Sequence, residues 1–90
     1  MLTALTDLDI SLNSLEKIDG LQWVNLTKMK RLNLRGNAPL EVLPFQLGMY
    51  DDLTWLDVTG CNINSPPPVI IQRGVRPIID YLRRLYDGQV

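Results

Sequence analysis

The 90-residue chain contains no histidine, a single cysteine and no long apolar run. Without histidine it lacks the side chain that most often acts as a general base or metal ligand near neutral pH. One cysteine excludes an intrachain disulfide framework and is typical of a reducing compartment. No run approaches the ~18 apolar residues of a membrane span, and the N-terminus shows no signal-peptide pattern. We therefore expect a cytoplasmic protein.

The charge balance is nearly even, with 9 Lys and Arg against 10 Asp and Glu and a net charge of −1. This balance gives no long-range attraction to nucleic acid or to an anionic membrane. The densest basic cluster, at 28–35, is accordingly interpreted as a solvated face. The one pair of adjacent carboxylates, Asp51-Asp52, has no ligand set around it, and no Gly-rich phosphate loop is present. The sequence therefore predicts no catalytic residues, no metal, no cofactor and no enzymatic activity.

What the chain does contain is a repeat of 24 residues. Its recurring positions are Leu5, Leu8, Ile10 and Asn13, then Met29, Leu32, Leu34 and Asn37, then Leu53, Leu56, Val58 and Cys61. A fixed period of this length is the signature of a solenoid. Residues 1–4 read as the end of a further, partial repeat.

Each repeat begins with an alternating pattern of five residues, at 7–11, 31–35 and 55–59. Strands this far apart in the chain cannot form tight hairpins, so they must be parallel, with the return segments on the other side. The fold class we expect is α/β: a solenoid with about three parallel strands on its concave face.

The Asn positions of the repeat have a structural explanation. The amides of Asn13 and Asn37 can satisfy backbone groups inside the stack that water cannot reach. Cys61 takes the same place with a weaker donor. The alternative, that Cys61 is a nucleophile, lacks any histidine to activate the thiol, so we interpret Cys61 as structural.

After Ile63 the repeat pattern stops at three consecutive prolines, residues 66–68. The pattern then predicts one helical turn over 69–73 with Gly74 as its αL terminator, and a longer amphipathic helix. The apolar face of this helix comprises Val75, Ile78, Ile79, Leu82, Leu85 and Tyr86, and the opposite face Arg76, Asp80, Arg83, Arg84 and Asp87. We divide the chain into repeats at 1–68 and a helical cap at 69–90; the alternative is a free amphipathic helix that docks on a membrane or a partner.

Residues 5–15, Leu-x-x-Leu-x-Ile-x-x-Asn-x-Leu, resemble the signature of leucine-rich repeat proteins, and 43–50 resemble that family's return segment. The stretches 66–74 and 79–85 are similar to the end cap of intracellular leucine-rich repeat regions, such as those of Ras-group-related and Roco-type proteins. The resemblance implies a scaffold for protein binding in signalling. The alternative is a regulatory fragment of a larger signalling enzyme, such as a Roco-type GTPase/kinase or a ubiquitin ligase.

The candidate partner-binding residues are the outward-facing strand positions, which form three rungs across the sheet. The first rung is Asp7, Arg31 and Trp55; the second is Asp9, Asn33 and Asp57; the third is Ser11, Arg35 and Thr59. An exposed Trp is typical of interface hot spots, although Trp55 could instead pack against the cap. The two arginines could likewise pair with the flanking carboxylates as a solvated salt-bridge ladder.

Three such strands cover only roughly 250 Å², whereas a stable protein interface needs about 800 Å² per partner. Binding must then also use the flanks or further repeats. The N-terminal strand, with Leu5, Leu8 and Ile10 covered on one side only, is an open edge, and we expect self-association through residues 1–20.

Overall fold

The computed structural model describes residues 5–18, 23 and 26–88. The elements in chain order are strand β1 (Asp7–Asp9), strand β2 (Arg31–Asn33), a 3₁₀ helix (Phe45–Met49), strand β3 (Trp55–Asp57), helix α1 (Pro68–Ile71) and helix α2 (Val75–Asp87). The partial repeat predicted at 1–4 lies outside the described residues. Within the described ranges, no helix is long and apolar enough to cross a membrane.

The three strands form one parallel sheet in the order β1-β2-β3. Leu8, Leu32 and Leu56 are aligned in neighbouring strands, so the 24-residue spacing of the sequence is the register of the sheet. The prediction of parallel strands with a C-terminal helix is confirmed.

The strands have three residues each instead of the five predicted. In an uninterrupted parallel ladder the N–H of Arg35 would donate to the carbonyl of Ile10. That N–H instead donates to Oδ1 of Asn33 (3.0 Å), and the carbonyl of Ile10 accepts from the side-chain amide of Asn37 (3.1 Å). The chains nevertheless stay adjacent, since the N–H of Leu12 still reaches the carbonyl of Arg35 at 2.8 Å. Side-chain hydrogen bonds therefore replace the last step of the ladder.

The core is centred on the second repeat. Its fully enclosed side chains are Met29, Leu32, Leu34, Leu40, Leu43, Leu47 and Tyr50, joined by Leu53, Ile63, Ile78, Ile79 and Leu82 from the third repeat and α2. In the first repeat, Leu5, Leu8 and Ile10 are only partly buried against this cluster. The middle strand has a strand on each side, whereas β1 has one partner among the described residues.

Helix α2 packs on the 3₁₀ helix through a close backbone approach. A Cβ atom added to Gly48 would lie 2.4 Å from the backbone nitrogen of Arg83, so only glycine fits there. Arg83, predicted on the solvent face of α2, donates from Nε to the carbonyl of Gly48 (2.9 Å) and forms a salt bridge with Asp51. Arg76 likewise donates to the carbonyl of Leu53 at 3.3 Å. The charged face of α2 thus helps to fix the helix on the repeats.

Two details of this region differ from the sequence prediction. Gly74 has φ 104° and ψ −175°, which is not the αL conformation, and it is the N-cap of α2. The apolar face of α2 is also shorter than predicted, because Leu85 is 39% exposed. Helix α1 starts at Pro68, whose fixed φ suits the first turn of a helix.

Candidate functional site

The candidate residues lie on one face of the sheet in the predicted register. Asp7 aligns with Arg31 and Trp55, and Asp9 aligns with Asn33 and Asp57. Ser11, Arg35 and Thr59 follow in the segments that leave the strands. We call the surface made by these three rungs the rung face. Its members differ in what their side chains already contact.

The first rung is a continuous row of interacting side chains. The guanidinium carbon of Arg31 lies over the Trp55 ring, 4.8 Å from the ring centroid. Nε of Arg31 lies 4.0 Å from Oδ2 of Asp7, and the two charged side chains are 56% and 64% exposed. A cation–π contact at an exposed site contributes about 0.5–1 kcal/mol. Trp55 is partly buried, with Arg31 covering it.

The second rung has a structural task that the sequence analysis missed. Oδ1 of Asp9, Asn33 and Asp57 accepts the backbone N–H two residues further on, at 3.0, 3.0 and 2.9 Å. This Asx arrangement ends each strand. Side-chain hydrogen bonds from Ser11 and Thr59 hold the pKa values of Asp9 and Asp57 below the usual range of a carboxyl. The sequence did carry a signal for this role: an Asp or Asn stands at the same position, two residues before the turn, at the end of every strand.

The third rung leads into a turn with a positive φ in every repeat. Gly36 and Gly60 have φ 80° and 81°, as glycine permits. In the first repeat the same position is Leu12, with φ 58° and a side chain that is 79% exposed. The Leu12 side chain lies over Gly36, where an added Cβ atom would come within 2.4 Å of it. A leucine in this conformation is strained, and the available signal was that the repeat spacing aligns Leu12 with two glycines.

Asn37 has the structural role predicted for it. It is fully buried, and its amide nitrogen donates to the carbonyls of Ile10 (3.1 Å) and Leu34 (2.7 Å). Its Oδ1 accepts the backbone N–H groups of Asn13 and Leu15, both at 3.0 Å. The prediction for Asn13 is wrong: its side chain is exposed, and among the described residues it donates only to the carbonyl of Ser11. Each Asn side chain serves the repeat before it, and no earlier repeat is among the described residues.

Cys61 forms a hydrogen bond that is equivalent, one repeat later, to one of the hydrogen bonds of Asn37. Its Sγ donates to the carbonyl of Leu34 at 3.1 Å, as the Asn37 amide donates to Ile10 one repeat earlier. The thiol offers a much weaker acceptor in place of Oδ1, and Pro39, 24 residues after Leu15, carries no N–H to be accepted. Burial raises the pKa of the Cys61 thiol, which disfavours the reactive thiolate.

Two cavities adjoin the sheet. One, of about 240 Å³, opens on the rung face and is lined by Asp7, Leu8, Asp9, Arg31, Asn33 and Trp55. The other, of about 380 Å³, lies between the third repeat and α1 and is lined by Val58, Cys61, Asn62, Ile63, Asn64, Pro68, Ile71 and Gln72. Within the described part of the chain, no three His, Cys, Asp or Glu side chains are grouped so as to hold a metal ion.

The residues predicted for self-association lie along the outer side of the sheet. Leu5, Leu8 and Ile10 are partly buried and pack on the core. Of the predicted stretch 1–20, residues 1–4 and 19–20 lie outside the described residues. Of the surface predicted for self-association, the structure therefore describes the outer edge of β1 and residues 10–18.

Two comparisons with known proteins bear on the family. Residues 52–73, which include β3 and α1, match the family model described as Leucine Rich Repeat. The chain is also 34% identical over 56 residues to a Dictyostelium discoideum protein named "Probable serine/threonine-protein kinase pats1". The aligned residues are 62% of this chain, and the chain spans 2% of the length of that relative. The chain therefore carries leucine-rich repeat sequence, in agreement with the resemblance of residues 5–15 and 43–50.

Proposed function

We propose that this chain is a protein–protein interaction module, a leucine-rich repeat solenoid that binds a partner through the rung face. In this proposal, residues 1–68 are the repeats and 69–90 are a cap over the last one. The observation that carries it is the alignment of Asp7, Arg31 and Trp55 across three strands. Such a row gives a partner charged and aromatic groups at fixed spacing on a supported surface, and the chain itself has no catalytic task.

The rungs would contribute unequally to binding. Second-rung side chains already accept hydrogen bonds from their own strand exits, so part of their capacity is used. The first rung and Arg35 keep polar groups directed to solvent. Since the rungs cover only roughly 250 Å², a stable complex must also contact the surrounding turns. The exposed side chain of Leu12 borders the third rung and is available for such a contact.

The test is a selection for binders with the purified chain as bait, followed by direct affinity measurement. Fragments from a display library would be recovered, and each would be measured against the wild type, Trp55→Ala and Arg31→Ala. We expect both substitutions to weaken binding at least tenfold, as for a hot-spot residue. Arg73→Ala is the matched control, because Arg73 is exposed and lies outside the rung face. Circular dichroism melting checks that every variant is folded. Unchanged affinity in both rung variants would exclude the rung face.

A second candidate function is regulation within a larger signalling enzyme, such as a Roco-type GTPase/kinase or a ubiquitin ligase. It is favoured by the match to a relative that is named a serine/threonine kinase, of which this chain covers 2%. The reading frame beyond Val90 distinguishes the two candidates. A P-loop or a kinase signature there supports regulation of a neighbouring domain, and a stop codon supports an independent binding module.

We further propose a cytoplasmic location and self-association through the outer edge of β1. Strand β1 pairs only with β2 among the described residues, and in this proposal the backbone of its other edge, beside partly buried Leu8 and Ile10, pairs with a second molecule. Light scattering on a sizing column at high micromolar concentration tests this step. A monomer at every concentration would contradict self-association and would leave the rung-face proposal unaffected.

A further inference from the structure

The guanidinium N–H donors of Arg31 form no hydrogen bond with the residues that the structure describes. Its guanidinium lies over the Trp55 ring, 4.8 Å from the centroid, and this contact favours that position of the side chain. The nearest carboxylate oxygen, Oδ2 of Asp7, is 4.0 Å from Nε, and this is too far for a hydrogen bond. Among the described residues, no hydrogen bond engages this guanidinium, and the side chain is 56% exposed. Arg31 therefore presents N–H donors to solvent beside the Trp55 ring.

The cavity beside Arg31 has the size for one side chain. Its volume is about 240 Å³, below the range of roughly 300–1,000 Å³ for small-molecule pockets. Arg31 and Trp55 line it together with Asp7, Leu8, Asp9 and Asn33. A planar guanidinium with its donors in a fork matches a carboxylate, which it can bind through two parallel hydrogen bonds.

We propose that this cavity binds the carboxylate of an Asp or Glu side chain of the protein partner, with Arg31 as the donor and Trp55 as its support. This inference rests on the proposed function and names the chemistry that the first rung recognises. Arg35, exposed in the segment that leaves β2 and about 13 Å further along an extended chain, provides a second cation for another acidic side chain. The partner segment is therefore acidic at two points with this spacing.

The carboxylates that border the cavity favour a singly charged anion over a doubly charged one. Asp7 and Asp9 border the cavity, and their negative charge opposes a doubly charged phosphate more strongly than a singly charged carboxylate. A basic partner is the opposite possibility, with a lysine over Asp7 and Asp9. Asp9 would meet such a lysine mainly with Oδ2, because its Oδ1 already accepts the N–H and the hydroxyl of Ser11. Arg31 would also repel such a lysine.

The probe is the peptide acetyl-Glu-Ala-Ala-Ala-Glu-amide, whose acidic side chains can span the two arginines when it is extended. It is titrated into the ¹⁵N-labelled full chain at constant ionic strength, beside the same peptide with Gln or with Lys in place of both Glu residues. The signals followed are the Arg31 Nε–H and the Trp55 indole N–H. We expect saturable shifts of both with the Glu peptide and at least fivefold weaker binding of the Gln peptide.

Two variants separate the proposed geometry from simple charge. Arg31→Lys keeps the charge but loses the fork of donors, so the preference for Glu over Gln should fall to less than twofold. The control Arg73→Lys should leave the preference unchanged. The proposal is overturned by equal binding of the Glu and Gln peptides, by no shift with any peptide, or by an intact preference in Arg31→Lys. Shifts at Asp7 and Asp9 with the Lys peptide alone would indicate a basic partner. A selected partner that depends on Trp55 yet shows no carboxylate preference would refute this inference and leave the proposed function standing.

Discussion

The first and second repeats share the same sequence signature but differ in how completely they are buried. Leu32 and Asn37 are fully enclosed, whereas Leu8 is partly buried and Asn13 is exposed. The difference cannot come from residue type, because the pairs are Leu with Leu and Asn with Asn. It comes from the neighbours: β2 lies between two strands, and β1 is at the edge. A residue's contribution to stability here depends on its place in the stack.

The same comparison extends to hydrogen bonding. Asn37 joins its own repeat to the first one through bonds to Leu34, Ile10, Asn13 and Leu15. Tyr50 makes a further link, as its hydroxyl donates to the carbonyl of Trp23 at 2.8 Å. Stability in a repeat protein is a sum of repeat and interface terms, and these links belong to the interface term. The second repeat thus stabilises the first through these bonds.

The largest expected effect is on core packing. Leu32→Ala should lower the free energy of unfolding by about 4 kcal/mol, because it removes a fully enclosed side chain and leaves a cavity. Leu8→Ala, the matched substitution in the edge strand, should cost roughly half as much, since Leu8 is only partly buried. Urea unfolding followed by circular dichroism measures both. Equal losses would show that the edge and central strands are equally packed.

The second prediction concerns the repeated Asn. Asn37→Ala should cost about 3 kcal/mol, because partly buried backbone groups at Ile10 and Leu15 lose this partner and the Leu34 carbonyl loses one of its donors. Asn13→Ala should change stability by less than about 0.5 kcal/mol, as is usual for an exposed residue. The two variants are compared by the same urea unfolding. A large loss in Asn13→Ala would contradict the proposed dependence on stack position.

The sequence was sufficient for the features set by the period. A 24-residue spacing determines which residues align, so the parallel strands and the side chains that face one another across them could be predicted. The buried role of Asn37 followed from the same pattern. Each of these depends on a residue's place within its own repeat, which the sequence displays directly.

The remaining features depend on contacts between elements, which the period does not contain. Asn13 fits the pattern as well as Asn37 does, yet it has no earlier repeat to serve among the described residues. Arg83 occupies a polar helix face by sequence, but the close approach of α2 to Gly48 brings its guanidinium onto that glycine's carbonyl. Likewise, the strand register places Arg31 beside Trp55, but the contact of the guanidinium with the ring also depends on the side-chain conformation, which the sequence does not give.

The third prediction uses pH to probe the Tyr50 link. Burial raises the pKa of Tyr50 to about 12, so the folded state favours the neutral phenol. The associated stability is complete below pH 10 and is lost as the pH rises towards 12, by roughly 2–3 kcal/mol in total. Tyr50→Phe should remove this part of the alkaline loss, although it also loses the bond to Trp23 at neutral pH. Urea unfolding at pH 9, 10 and 11 tests it, and identical pH profiles for both proteins would exclude Tyr50 as the cause.

The smallest expected effect is a gain in stability at Leu12. Because Leu12 holds a positive φ that glycine has in the other two repeats, Leu12→Gly should relieve backbone strain and stabilise the protein by about 1 kcal/mol. Leu12→Ala is the control: it removes the exposed side chain but retains the strained backbone, so we expect no gain. If both variants were equally stabilising, exposure of the side chain and not the backbone would be the cost. Leu12→Gly could also stabilise the chain and at the same time weaken its affinity for a partner selected with the wild type. That result would show that the first repeat keeps a strained, exposed leucine for binding, at a turn where the other two repeats have glycine.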